Sequence, residues 1–113
     1  SQYCLPVKII NLNNRALGMV KQWQDMQYGG RYSSISYEDS LPDFVKLAES
    51  FGHVGLKVEK FSDLNDAMEE AFSLKDKLVF LDVLIDPDEH VYPMLEAGGS
   101  MSEMRISKKD KTF

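Results

Sequence analysis

Residues 78–85 read LVFLDVLI. This nearly continuous apolar run predicts a central strand of a parallel sheet, covered on both faces. It is far too short to cross a bilayer. Asp82 interrupts it, and the favoured reading is a hydrogen-bonded structural carboxylate rather than a charge at the strand end. Just upstream, Leu64, Ala67, Met68, Ala71 and Phe72 form the cleanest amphipathic stripe in the chain, which predicts a helix. Ser62 is its expected cap, and Asp63 and Asp66 suit its positive end. Before that, VGLKV at 54–58 alternates as an outer strand does. Pro42 marks the start of another helix, with Asp39 or Ser40 as candidate caps. There Phe44, Leu47, Ala48 and Phe51 make the expected buried face, and Gly52 the stop.

Nearer the N-terminus, LPVKIINL at 5–12 reads as a strand ended by Asn13 and Asn14. Residues 17–27 read as a helix, with Leu17, Val20 and Trp23 or Gln24 near one face and Met19 and Met26 widening the stripe. Between the two helices, YGGRYSSISYEDS at 28–40 holds no period and reads as a loop, long enough to hint at function or mobility. Residues after 86 hold no long periodic segment and are expected to extend as a tail. Strands joined by helices imply parallel pairing and right-handed crossovers. The predicted class is therefore α/β, with about three parallel strands. The α/β part covers 1–86 and an irregular tail covers 87–113. Three strands make a thin sheet, which suggests a piece of a larger domain or an obligate oligomer.

The 113 residues allow one modest core. A net charge of −5 from thirteen basic and eighteen acidic residues argues against nucleic acid or an anionic membrane as a main partner. The KKDK run at 108–111 reads as a solvated tail. The single cysteine, Cys4, has no internal disulfide partner and suits a reducing cytoplasm. No signal pattern opens the chain.

The informative junction is NLNNRALGM at 11–19, where a strand's carboxyl end feeds a helix. Ligands bind at such ends in open α/β sheets. A helix N-terminus suits phosphate, and asparagine oxygens suit a hard cation such as Mg²⁺. By local sequence alone a plain asparagine turn is the more common outcome. Trp23 is open between a core role and the wall of a pocket. His53 is read as structural, His90 as exposed or capping, and Gly98-Gly99 as loop flexibility. No nucleophile elbow or P-loop is present.

Four stretches together carry a family resemblance. They are LPVKIINLNNRALGMVKQWQDMQYGGRYS (5–33), SLPDFVKLAESFGHVGLKVEK (40–60), VFLDVLIDPDEHVYPM (79–94) and AGGSMSEM (97–104). They closely resemble the C-terminal end of bacterial acetohydroxyacid (acetolactate) synthase catalytic subunits. The asparagine pair alone is shared across thiamine-diphosphate enzymes, while its combination with LGMV and QWQ is far more specific.

The resemblance implies the C-terminal half of a doubly wound, parallel-sheet thiamine-diphosphate-binding domain. It places the run 78–85 between the other two strands and leaves the first strand's outer edge open. It implies cofactor contact by Asn14, Arg15, Ala16, Leu17, Gly18 and Met19. It implies Mg²⁺ ligation by the Asn14 side chain and the Ala16 backbone carbonyl. Met19, Val20, Trp23, Ala97 and Gly98 would line a substrate and inhibitor channel, with Trp23 bearing on preference for 2-ketobutyrate. The stretch 24–38 would correspond to a mobile region that orders over the site. The parent would join pyruvate to pyruvate or 2-ketobutyrate in branched-chain amino-acid synthesis. Its partners would be the rest of the catalytic subunit, a homodimer or tetramer, and a small regulatory subunit, in the cytoplasm. FAD would bind outside this chain.

The family's Gly-Asp-Gly, which carries the charged metal ligand, does not occur here. Only half of a Mg²⁺ site is therefore expected, with no catalytic residue in the chain and no activity from it alone. Two further readings are a sister thiamine-diphosphate carboligase or oxidase, against which the Gln22-Trp23-Gln24 triplet argues, and a stand-alone binding or regulatory module.

Overall fold

A computed structural model describes residues 2, 3, 5–37 and 39–107. Cys4 and the KKDK run lie outside the described residues. The chain divides into two compact units, Ser1–Ala16 with Tyr37–Pro87, and Leu17–Ser36 with Asp88–Phe113.

The first unit holds strands β1 (Lys8–Asn13), β2 (Val54–Val58) and β3 (Val79–Leu84). They form a parallel sheet in the order β1-β3-β2. The apolar run therefore takes the middle place, and the alternating segment an outer one, as expected. The register pairs Leu81 with Ile10 on one side and Leu56 on the other. Successive side chains point to opposite faces, so each face has its own cover. Helix α3 (Leu64–Ser73) covers the face of Leu81, Val83 and Val58, through Leu64, Ala67 and Met68. Val79 and Leu81 are each 1% exposed. Full burial of one such side chain contributes about 2 kcal/mol. Helix α2 (Phe44–Ser50) covers the opposite face. Its Phe44 ring stacks on Phe80 at 5.7 Å and 12°, and its backbone runs against Gly55.

Several local expectations give way to packing. The buried face of α2 is Phe44, Val45 and Ala48, while Leu47 and Phe51 are exposed. A seven-residue helix lying on a twisted sheet turns only its first turn and Ala48 inward. Its cap is Asp43, not Asp39 or Ser40, and Asp43 accepts from the Val45 and Lys46 N–H groups at 3.1 Å each. Pro42 stands one residue ahead of that cap. Ser62 does not cap α3, because a 3₁₀ turn at Phe61–Asp63 carries it off the end. Its hydroxyl bonds Asp63 at 2.7 Å instead. Phe72 is exposed.

β1 has no second neighbour strand among the described residues. The N–H of Val79 donates to the Val7 carbonyl and that of Ile85 to the Asn13 carbonyl. Residues of this parity therefore face β3, and Lys8, Ile10 and Leu12 turn their N–H and C=O groups to the open edge. The side chains of Ile9, Ile10 and Leu12 are exposed. The Lys8 ammonium is held by the Leu74 and Lys77 carbonyls at 2.7 and 2.5 Å.

The second unit is built on helix α1 (Gly18–Gln27). The expected apolar stripe is not its buried face. Leu17, Met19 and Val20 are exposed, whereas Lys21 and Gln22 are buried. The cause is that residues after 86 do not extend away. Asp88, His90, Val91 and Met94 pack polar groups onto α1, and an antiparallel bridge joins Met94 to Arg105. No helix among the described residues is long and apolar enough to cross a membrane.

Candidate functional site

At the carboxyl end of β1, two asparagines shape the chain. The buried Asp82 carboxylate accepts from the Asn11 amide at 2.7 Å and the Asn13 amide at 3.3 Å. It is the hydrogen-bonded structural group the sequence favoured. Asn13 turns its oxygen to the Arg15 N–H at 3.0 Å, and Asn14 turns its own to the Ala16 N–H at 3.1 Å. These successive side-chain turns hold Arg15 at φ +56°, a left-handed conformation that non-glycine residues rarely adopt. Asn13 has thus used its amide on Asp82, whereas the Asn14 oxygen keeps a second lone pair. A cavity of about 380 Å³ opens at these strand ends, lined by Asn13, Arg15, Asp43, Lys57, Glu59 and Asp82. Lys57 pairs with Glu59 at 2.6 Å, and this hydrogen bond holds the lysine above its usual range.

In the second unit, Leu17 stands at the N-cap of α1 and has no side chain able to cap it. Its own N–H donates to the Ile35 carbonyl at 3.0 Å. No acidic residue lies in the first turn, so neither a side-chain cap nor a first-turn carboxylate of the helix itself offsets its positive end. Met19 and Trp23 are one helical turn apart, and Trp23 is half-buried. Ala97 and Gly98 lie in an exposed turn closed by the Gly99 N–H on the Glu96 carbonyl at 3.0 Å, with Gly98 at φ +82°.

A polar cluster of Lys21, Asp25, Tyr32, Asp88 and His90 lies in this unit. The Lys21 ammonium donates to Asp25 at 3.0 Å, Tyr32 at 3.2 Å and Asp88 at 2.6 Å, which uses all three of its protons. Asp25 also accepts from the Tyr32 hydroxyl at 2.5 Å and stands 2.9 Å from His90 Nε2. The His90 side chain is consequently buried, 6% exposed, rather than exposed or capping. His53 is half-buried at the entry to β2, where its N–H bonds the Ala48 carbonyl. The i, i+4 spacing of Lys21 and Asp25 was the one signal of the cluster visible in sequence. Asp88 and His90 carry no local mark of it.

Burial by itself would lower the Lys21 pKa, but its hydrogen bonds to Asp88, Asp25 and Tyr32 outweigh burial and hold it above the ordinary 10.5. Burial would likewise raise Asp25. The bonds from Tyr32 and Lys21, with the charges of Lys21 and His90, outweigh it and hold Asp25 below 3.8. The lysine's contribution to stability is therefore complete below 10.5 and is lost as pH rises through its higher folded value. The aspartate's is present above 3.8 and is lost as pH falls through its lower folded value. Trp23 emission is expected to stay constant from about pH 5 to about pH 9 and to change below the ordinary Asp25 value. A transition within that window would show that the Lys21–Asp25 pair does not control the cluster.

With the fold and the strand-end geometry in place, the family can be assigned. Residues 1–83 match the family described as thiamine pyrophosphate enzyme, C-terminal TPP binding domain, and the chain belongs to it. Among curated proteins, it is 58% identical over 108 residues to an acetolactate synthase large subunit of Haemophilus influenzae, covering 96% of this chain and 19% of that protein. It is 55% identical over 113 residues to the acetolactate synthase isozyme 3 large subunit of Escherichia coli K12, covering 98% and 20%. With an acetolactate synthase of Mycobacterium bovis the identity is 40% over 107 residues, covering 92% and 17%. The chain thus spans about one-fifth of the length of these relatives.

The family implies a diphosphate cofactor, and the residues present fit part of its site. Asn14 and Ala16 offer neutral, hard oxygens suited to Mg²⁺, and the uncapped start of α1 suits phosphate. Asp82 is already engaged by Asn11 and Asn13. Among the described residues, no group of three or more His, Cys, Asp or Glu is arranged to hold a metal.

Proposed function

We propose that this chain forms the C-terminal part of the cofactor-binding module of an acetolactate synthase large subunit. The observation that carries it is the pair of side-chain turns at the carboxyl end of β1, where the Asn14 oxygen accepts from the Ala16 N–H and keeps a second lone pair. In this reading the Asn14 side chain and the Ala16 carbonyl hold Mg²⁺, and Arg15, Leu17, Gly18 and Met19 line the cofactor. When bound, thiamine diphosphate supplies the carbanion chemistry that joins two 2-ketoacids.

The chain's own contribution is orientation. The side-chain turns of Asn13 and Asn14 hold residues 13–16 in one conformation, and Asp82 anchors Asn13 to β3. Met19, Val20 and Trp23 face the incoming 2-ketoacid, whether pyruvate or 2-ketobutyrate, with Ala97 and Gly98 on the closing segment. FAD, a second large subunit and a regulatory subunit bind elsewhere on the parent, which acts in the cytoplasm in branched-chain amino-acid synthesis.

Neutral oxygens alone bind Mg²⁺ weakly, because the cation's hydration is costly to remove without an anionic ligand. The purified chain with pyruvate, thiamine diphosphate, Mg²⁺ and FAD is accordingly expected to form no acetolactate. The longer synthase polypeptide carrying this sequence is expected to form it, and Asn14→Ala there should raise the Mg²⁺ needed for half-activation by about tenfold or more. Acetolactate from the chain alone would refute the half-site. An unchanged Mg²⁺ requirement in the variant would refute the role of Asn14.

A further inference from the structure

Gln22 is the most deeply buried polar residue described, 1% exposed in the middle of α1. Its carboxamide is used from both ends. Nε2 donates to the Val91 carbonyl at 2.8 Å and lies 2.9 Å from the Met94 sulfur. Oε1 accepts from the Val91 N–H at 2.9 Å. The amide thus pairs with one residue's backbone as a neighbouring strand would, 69 positions away in sequence. Beside it, Lys21 grips Asp88, and His90 reaches Asp25 one helical turn on. The bridge between Met94 and Arg105 then closes the loop that carries Ala97 and Gly98, and Arg105 pairs with Glu96 at its neck.

We propose that Gln22 and Lys21 form a two-point clasp that holds residues 88–94 on the polar face of α1 and so sets where Ala97 and Gly98 stand. They are positioning residues for the channel, and this role rests on the channel reading given above. The clasp also explains why α1 buries its polar face and leaves Met19 and Val20 uncovered. A buried amide with every partner met contributes direction as well as stability, because any shift of the segment leaves a desolvated donor or acceptor unpaired. An apolar side chain of the same size would permit sliding. Trp23 follows Gln22 directly, so the residue assigned to substrate choice and the anchor of the closing segment share one turn of one helix.

Amide hydrogen exchange on the whole chain tests the clasp without cofactor or activity. In Gln22→Leu, exchange at Val91, Met94 and Arg105 is expected to speed up by about tenfold, while Leu81 and Val83 in β3 keep their protection. Gln22→Met keeps the length of the side chain without its amide and should speed exchange as Gln22→Leu does. Unchanged exchange in Gln22→Leu overturns the clasp. Protection kept in Gln22→Met overturns the amide pairing as its basis.

The positioning role is read in the longer synthase, as a change in KM for the second 2-ketoacid larger than the change in kcat. If Gln22→Leu leaves KM unmoved while Trp23→Phe moves it, the positioning role is overturned. If Trp23→Phe leaves it unmoved as well, the channel reading itself has failed and the positioning role falls with it.

Discussion

Gly55→Ala is expected to lower the melting temperature by on the order of 15 °C. A Cβ built at this position stands 2.7 Å from both the Cα and the carbonyl oxygen of Val45, and 3.0 Å from Val45 Cγ1. Two of these three atoms are backbone, so no rotamer change relieves the clash. Helix α2 must lift from the sheet or β2 must bend. Overpacking of this kind costs about 3 kcal/mol, a large share of the stability of a domain this size. The damage would reach the strand ends, because α2 stacks Phe44 on Phe80 over the same face on which Asp82 holds Asn11 and Asn13. Calorimetry checks the expectation directly. A shift of less than about 3 °C would mean that α2 is free to give way and that its seat on Gly55 does not govern stability.

Ile10→Pro is expected to weaken self-association of the chain by roughly 30-fold or more, in a direction opposite to its small cost in folding. Lys8, Ile10 and Leu12 direct their backbone groups away from β3, and Ile9, Ile10 and Leu12 leave apolar side chains beside that edge. An edge of this kind templates pairing with another chain. Proline at position 10 removes an outward N–H and puts a ring where the neighbour would lie, yet leaves the bonds made by Ile9 and Asn11 to β3. Sedimentation at rising concentration should show association in the native chain and largely monomer in the variant. A native chain that stays monomeric at high concentration would refute the open edge as an association site. Equal association of the two chains would place the contact elsewhere.

The same features separate what was legible in the residues from what was not. The middle place of 78–85, the outer place of 54–58 and the inner stripe of α3 through Ala71 follow from burial on two faces, one face and one helical side. Those patterns are local, and they survive because the sheet buries whatever lies at its centre. The family was legible too, from NNRALGMV and QWQ in one stretch. The helix caps were not, because Asp39, Ser40, Asp43 and Ser62 are all chemically able to cap, and only the path of the chain selects among them. The buried face of α2 was not, because a short helix is oriented by the Gly55 contact rather than by its own apolar moment.

The sequence by itself determined a three-stranded parallel α/β unit, its strand order through the family pattern, and an asparagine turn leading into a helix. Only the tertiary structure decided that α1 turns Lys21 and Gln22 inward and that the His90 side chain is buried. The physical reason is distance along the chain. A polar side chain is buried where its hydrogen bonds are met, and the groups that meet those of Lys21 and Gln22 come mostly from residues 67 to 72 positions away. No periodicity within a helix records such partners.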